Sequence, residues 1–162
     1  MSTLSLGSLS INGYVPQRSS LPPVIGILST HVPTICGLAG FSAALAHGLT
    51  ESGAKVNVVR VADGQTSSDP HVVGELVSGS AASIAACADL LNQNRIAIVQ
   101  HDFDVYGGTD GNEILDVMGA LTVPSIVVAH TIPAHPTPQQ RSVLEAIAAL
   151  ASRVVVMSDA AS

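Results

Sequence analysis

The chain has 162 residues, enough for one domain with a sizeable core, and 47% of them are hydrophobic, which argues against disorder over most of its length. Six basic against twelve acidic residues give a net charge of -6, and the basic residues are scattered with no stripe, so nucleic acid is not expected among the partners. No apolar run reaches the roughly 18 residues needed to span a bilayer, and the N-terminus lacks the basic and apolar regions of a secretory signal. A cytoplasmic protein is expected, with peripheral membrane association left open.

The opening segment MSTLSLGSLSINGYVPQRSS is rich in Ser and Gly and reads as a loosely ordered lead-in over residues 1–22. The domain then runs over 23–162. A continuous apolar run from Val24 to Thr30, after Pro22-Pro23, predicts a first buried strand. The loop His31 to Gly37 follows. Leu38, Phe41, Leu45 and Leu49 then recur at helical spacing, and Gly53 sits where a glycine would end that helix. Lys55 to Ala62 reads as the second strand, Asp63 to Pro70 as a polar loop, and Ser80 to Leu91 as a helix with Ile84, Ala88 and Leu91 on one face. Arg95 to Gln100 is the third strand.

The stretch HDFDVYGGTDG, from His101 to Gly111, holds two of the four aromatic residues of the chain. Gly107-Gly108 permits a sharp turn, and Asp110-x-x-Glu113 has the form of a capping box opening a short helix through Ile114, Leu115 and Met118. Phe103 and Tyr106 either cover the sheet end or touch a ligand. Thr122 to Ala129 is the fourth strand. Thr137-Pro-Gln-Gln140 gives a second capping signal, with Pro138 at the first helical position. Val143, Leu144, Ile147 and Leu150 make the helix amphipathic, and Arg153 to Met157 is the fifth strand.

Strands alternating with helices specify an α/β domain, Rossmann-like, with a parallel β-sheet and helices on both faces. Ligands of such sheets bind outside the carboxyl ends of the strands. Polar residues gather there: Ser29, Thr30, His31, Asp63, His101, Asp102, His130, Thr131, His135, Ser158 and Asp159. TICGLAG places Gly37 and Gly40 at a helix start, where backbone N–H groups could hold a phosphate or merely make a tight turn. Asp63-Gly-Gln65 reads first as a turn. His130 is the better placed histidine for ligand contact. No histidine or cysteine spacing matches a metal site, and Cys36 and Cys87 read as two buried thiols.

Four motifs in this order, IGILSTHVPTICGLAGFSAALAHGL, IAIVQHDFDVYGG, VPSIVVAHTIPAHPTP and VVVMSDAA, resemble the N-terminal domain of family 4 glycosyltransferases. These are retaining enzymes with two Rossmann domains, the GT-B type. The resemblance runs from Val24 to the last residue. It implies a nucleotide-sugar donor held mainly by a C-terminal domain, an acceptor held mainly by this one, and no metal or other cofactor. By position it implies that His130 lies near the reacting sugar and is the catalytic candidate. It places Gly37, His101, Asp102, Tyr106, Gly107, Gly108 and Ser158 on the acceptor or phosphate side. Relatives read HEYGIYGG or HEFGIFGG, so Asp102 stands for Glu and Asp104 for Gly, which alters the acceptor contacts. No donor domain is expected within these residues, and the isolated chain is expected to be inactive. It would act as the acceptor-side part of an enzyme completed by further chain or by a second polypeptide. Alternatives are a non-catalytic module binding a ligand or protein, and a degenerate remnant. The acceptor class implied is a sugar, lipid or polyol, and a homodimer covering the exposed interface is allowed.

Overall fold

The computed structural model describes residues 21–157. Its elements, in chain order, are β1 (Val24–Ser29), α1 (Gly37–Glu51), β2 (Lys55–Val61), β3 (Val72–Leu76), α2 (Ala81–Asn92), β4 (Ile96–His101), a single 3-10 turn (Thr109–Gly111), α3 (Ile114–Gly119), β5 (Ser125–Ala129), α4 (Pro138–Leu150) and β6 (Arg153–Val156). Six parallel strands form one sheet in the order β3-β2-β1-β4-β5-β6. The order reverses at β1: the chain first moves outward through β2 and β3, then returns to pair β4 on the other side of β1. That reversal opens a crevice at the carboxyl ends of β1 and β4.

The expected α/β class with helices on both faces is the observed one. Alternate strand residues point to opposite faces, and the core divides accordingly. Leu28, Val59, Val61, Ala97, Val99 and Val127 pack against α2, α3 and α4 through Cys87, Leu91, Val117, Met118, Val143 and Ile147. Ile25, Ile27, Val56 and Val58 pack against α1 through Ala46, with Leu45 and Leu49 beside it. Among the described residues α1 is the one helix on that second face, and Ile96, Ile98 and Ile126 there are half-buried.

Three expectations are corrected. First, β3 was not expected; it is a short edge strand, partly exposed up to the buried Leu76 and containing Gly74 and Glu75. A Cβ at Gly74 would lie 2.5 Å from Cδ1 of Leu90, so a larger residue there would require that side chain to move. Second, α1 does not bury a stripe through Phe41, which is exposed. Its buried residues are Ala39, Ser42 and Ala46, and their small size lets the helix axis approach the sheet. Ser42 reaches it with a hydrogen bond of 2.6 Å from its Oγ to Ser29 Oγ. Third, Asp110 is not a cap. It lies in the 3-10 turn in a left-handed conformation (φ 52°), which aspartate tolerates better than most residues. Glu113 occupies the N-cap position of α3 with no side-chain capping bond. Its carboxylate instead accepts from Gly79 N at 2.5 Å, tying the β3–α2 loop to the β4–α3 loop.

Two helix ends follow the sequence signals. Thr137 and Gln140 form a reciprocal capping box at α4, with Pro138 in the first turn. At the end of α1 the N–H of Ala54 donates to Leu49 O and that of Gly53 to Thr50 O, both at 3.0 Å. These are the paired bonds of a Schellman ending, and they require Gly53 at φ 96°. Gly53→Ala is expected to lower unfolding free energy by about 1–2 kcal/mol, the penalty of a Cβ in that conformation. Urea unfolding monitored by circular dichroism measures it.

The last apolar run forms β6 at the sheet edge, paired only with β5 among the described residues, and Val154, Val155 and Val156 are each 42–50% exposed. No described helix is long and apolar enough to cross a membrane.

Candidate functional site

A cavity of about 460 Å³ opens at the carboxyl ends of β1, β2 and β4, where the strand order reverses. It is lined by Thr30 just after β1, Thr34, Cys36 and Leu38 from the entry to α1, Val61 at the end of β2 with Ala62 and Asp63 after it, and Asp102, Asp104 and Val105 from the loop after β4. Three carboxylates and no basic side chain form its lining.

One wall is fixed from beneath by Arg60. Its place inside β2 puts the guanidinium in the interior, where it is fully buried. A buried guanidinium must use its five donors. Arg60 Nη1 donates to Glu75 Oε1 and Gln65 O, both at 2.8 Å; Nη2 donates to Thr34 Oγ1 at 2.9 Å and to the carboxylate of Asp63; Nε reaches His31 O at 3.3 Å. Burial alone would lower the pKa of Arg60, but its bonds to Asp63 and Glu75 outweigh that and raise it. Asp63 is held well below the usual carboxylate range by hydrogen bonds from Thr34, Arg60 and the backbone of Gln65, so it stays ionised. The bond from Gln65 N to Asp63 Oδ1, 3.0 Å, makes the expected turn, so Asp63 both forms the turn and faces the cavity.

On the other side, Asp102 Oδ1 accepts from Phe103 N at 2.7 Å and Oδ2 from Thr131 Oγ1 at 2.9 Å. This bond joins the β4 and β5 ends. His130, directly after β5, is half-buried. Its Nε2 lies 2.5 Å from Gln100 Oε1, and its ring meets Phe41 of α1 edge-on with centroids 5.0 Å apart. Burial lowers its pKa, partly opposed by the charge of Asp102. His101 is fully buried with both ring nitrogens unpartnered among the described residues, and burial lowers its pKa too.

The remaining residues singled out from the sequence separate into groups. Gly37 begins α1 between the cavity-lining Cys36 and Leu38. A Cβ at Gly37 or Gly40 would meet nothing within 4 Å, so neither glycine is demanded by the packing. Gly107 and Gly108 lie against Glu113, Ser78 and Asn112, away from the cavity lining. A Cβ at Gly107 would stand 2.5 Å from Glu113 Oε2. Tyr106 is placed in the core instead of facing an acceptor: it is 5% exposed, and its hydroxyl donates to Gln100 O at 2.6 Å. A buried phenol must find an acceptor, and the carbonyl of Gln100 supplies it. Phe103 is likewise buried, edge-on to His101. His135 lies exposed in the β5–α4 loop. Ser158 falls outside the described residues.

Tyr106→Phe should destabilise the fold by about 1–2 kcal/mol, because it removes a buried hydrogen bond and leaves a carbonyl underpaired. The expected loss is read from the urea midpoint, with an unchanged denaturant slope.

Sequence reading missed Arg60, Thr34, Gln100 and Cys36. Arg60 carried a signal, a charge set between Val59 and Val61 in β2. Cys36 is not a buried thiol: it is exposed, and its Sγ accepts from Ala39 N at 3.3 Å as the N-cap of α1. Cys87 is buried as expected, its thiol pushed up to about 12 by burial. Among the described residues no group of three or more His, Cys, Asp or Glu is arranged to hold a metal ion.

No protein-family model and no curated protein matches the chain. A solved structure does. It is an alpha-glucosyltransferase in complex with UDP and a 13-mer DNA containing a HMU base, with a TM-score of 0.61 at 15% identity, over 83% of this chain. The likeness is one of fold. This chain shares the α/β fold of part of that neighbour, and it spans 38% of the neighbour's length. Because the neighbour holds DNA, the fold itself does not exclude a nucleic-acid partner, and the expectation against one rests on charge distribution alone.

Proposed function

We propose that this chain is the acceptor-side domain of a retaining glycosyltransferase of the family 4 type. It would hold a hydroxylated acceptor while a nucleotide-sugar donor is held by a second domain or polypeptide. The observation that carries this reading is the cavity at the strand-order reversal, lined by three carboxylates and two threonines, one of whose carboxylates, Asp102, bonds Thr131 and acts by its charge on the neighbouring His130, which lies outside the lining. Carboxylates and hydroxyls suit the hydroxyl groups of a sugar or polyol. The likeness to a UDP-bound alpha-glucosyltransferase supports a nucleotide-sugar donor.

A second feature supports the division of labour. Transfer from a nucleotide sugar requires the leaving diphosphate to be stabilised by positive charge or preorganised donors. The cavity lining has no basic side chain, and its carboxylates repel a phosphate. The donor side therefore needs groups that this cavity does not supply. In this reading His130, with Asp102 beside it, approaches the acceptor and the reacting sugar, and Gly37 borders the cleft. His101, Gly107 and Gly108 shape the supporting loop. The protein works in the cytoplasm, in the isolated state without turnover.

The test is saturation-transfer NMR with glucose, maltose and glycerol, run beside a transfer assay with labelled UDP-glucose. Binding of a hydroxylated compound without transfer is the expected result. Sugar transfer by the chain alone would overturn the division of labour, and absence of any binding would overturn the acceptor role.

A further inference from the structure

The ring of His130 is held by a residue that neither its composition nor its position in a motif marks. Gln100 lies near the end of β4, on the face shared by Ile96 and Ile98, which is the face α1 covers. It is fully buried. Its Oε1 is 2.5 Å from His130 Nε2. The main chain of His130 is fixed by a bond from its N–H to His101 O at 2.9 Å, and the ring edge is set against Phe41. No other described side chain competes for the Gln100 amide, whose Nε2 is buried without a partner.

An amide oxygen only accepts hydrogen bonds, so the imidazole nitrogen facing it must carry a proton. In a neutral ring the other nitrogen is then an acceptor. His130 Nδ1 has no hydrogen-bond partner among the described residues. We propose that Gln100 is a positioning residue that locks His130 as the Nε2–H tautomer, leaving Nδ1 as an acceptor for a hydroxyl of the ligand. The hydroxyl-bearing ligand rests on the acceptor-side reading above, whereas the tautomer lock stands without it.

The choice of an amide matters. A carboxylate at the same place would favour the imidazolium, whose Nδ1 donates and cannot accept. The neutral amide orients the ring without charging it. The titratable groups around the ring are Asp102 and His101, at the strand ends, while α1 presents the uncharged Phe41. A rotated amide would donate to Nε2 and force the proton onto Nδ1, so the two amide orientations demand opposite tautomers.

Long-range proton–nitrogen correlation spectra of the ¹⁵N-labelled 162-residue chain decide between them, with the His130 signals assigned by their loss in His130→Gln. At pH 7.5 the lock requires a neutral ring protonated at Nε2. Gln100→Leu should release it into an exchanging mixture of tautomers. Gln100→Glu should keep Nε2 protonated and move the His130 titration up by about one pH unit or more. Protonation at Nδ1 in the unaltered chain overturns the proposal, as does a Gln100→Leu spectrum with an unchanged tautomer. Should Gln100→Leu fail to fold, the unaltered chain and Gln100→Glu still decide it. Glucose, maltose and glycerol are then titrated in. Displacement of the Nδ1 resonance supports both readings. A locked tautomer with no Nδ1 response supports the lock and overturns the acceptor role instead.

Discussion

Arg60→Ala is expected to lower the unfolding free energy by about 3–5 kcal/mol, the range for breaking a buried charge network from one side. The reason lies in what the guanidinium joins. Its five donor contacts reach the loop before α1 (His31, Thr34), the loop after β2 (Asp63, Gln65) and the edge strand β3 (Glu75). Nothing else described spans all three. Without Arg60, two carboxylates face each other across the site, and two carbonyls and a hydroxyl each lose a donor. Arg60→Met should be milder. It removes the charge but keeps much of the volume, and Asp63 and Glu75, 27% and 39% exposed at their side chains, can take up water. Urea unfolding gives both values. Native-state amide exchange should show the added opening concentrated in residues 62–71. A loss below about 1 kcal/mol for Arg60→Ala would mean that the network contributes no more than an exposed ion pair.

That network also shows where sequence reading stopped. Five strands and two of the helix ends were legible because each signal is local: an apolar run of five to eight residues, a Thr-Pro-x-Gln cap, a glycine after the last helical turn. β3 was not, because an edge strand partly exposed and broken by Gly74 carries neither an apolar run nor a clean alternation. The buried stripe of α1 was misplaced for a related reason. Hydrophobic spacing weighs Phe41 and Leu45 above alanine and serine, but close approach to the sheet selects Ala39, Ser42 and Ala46. At the site, each strand-end residue was visible singly. Their partnerships were not, since Thr34 with Asp63 and Gln100 with His130 are pairs 29 and 30 residues apart. The stretch from His101 to Gly111 divides in the structure. Asp102 and Asp104 face the cavity, while Phe103, Tyr106 and Gly111 are buried, and Glu113 is drawn off to the β3–α2 loop.

Acid should destabilise this fold in two stages, and the first falls on the histidines beside the candidate site. Burial lowers the pKa of His101, the charge of Asp102 opposing and that of His130 adding, and burial lowers the pKa of His130. Both therefore titrate in the folded protein below the ordinary value of about 6.5 that they regain on unfolding. Between those values the unfolded chain binds more protons than the folded one, so stability rises with pH. The full contribution is present above about pH 6.5 and is lost as pH falls through the window below it. The second stage involves Asp63 and Asp69, whose folded pKa values are depressed. For Asp69, burial would raise it, but bonds from His71 and His31 prevail. Their contribution is lost only as pH falls below the ordinary carboxylate range near 4. Thermal unfolding from pH 8 to 5 should thus give a midpoint that is flat above about 6.5 and drops by several degrees by pH 5. His101→Leu should flatten that drop. It removes a fully buried ring whose two nitrogens find no described partner, so the substitution forfeits no hydrogen bond. A midpoint that rises between pH 7 and 5.5 would mean that these histidines are better solvated, or better paired, when charged than their burial implies. It would also contradict the neutral His130 on which an acceptor nitrogen at this strand end depends.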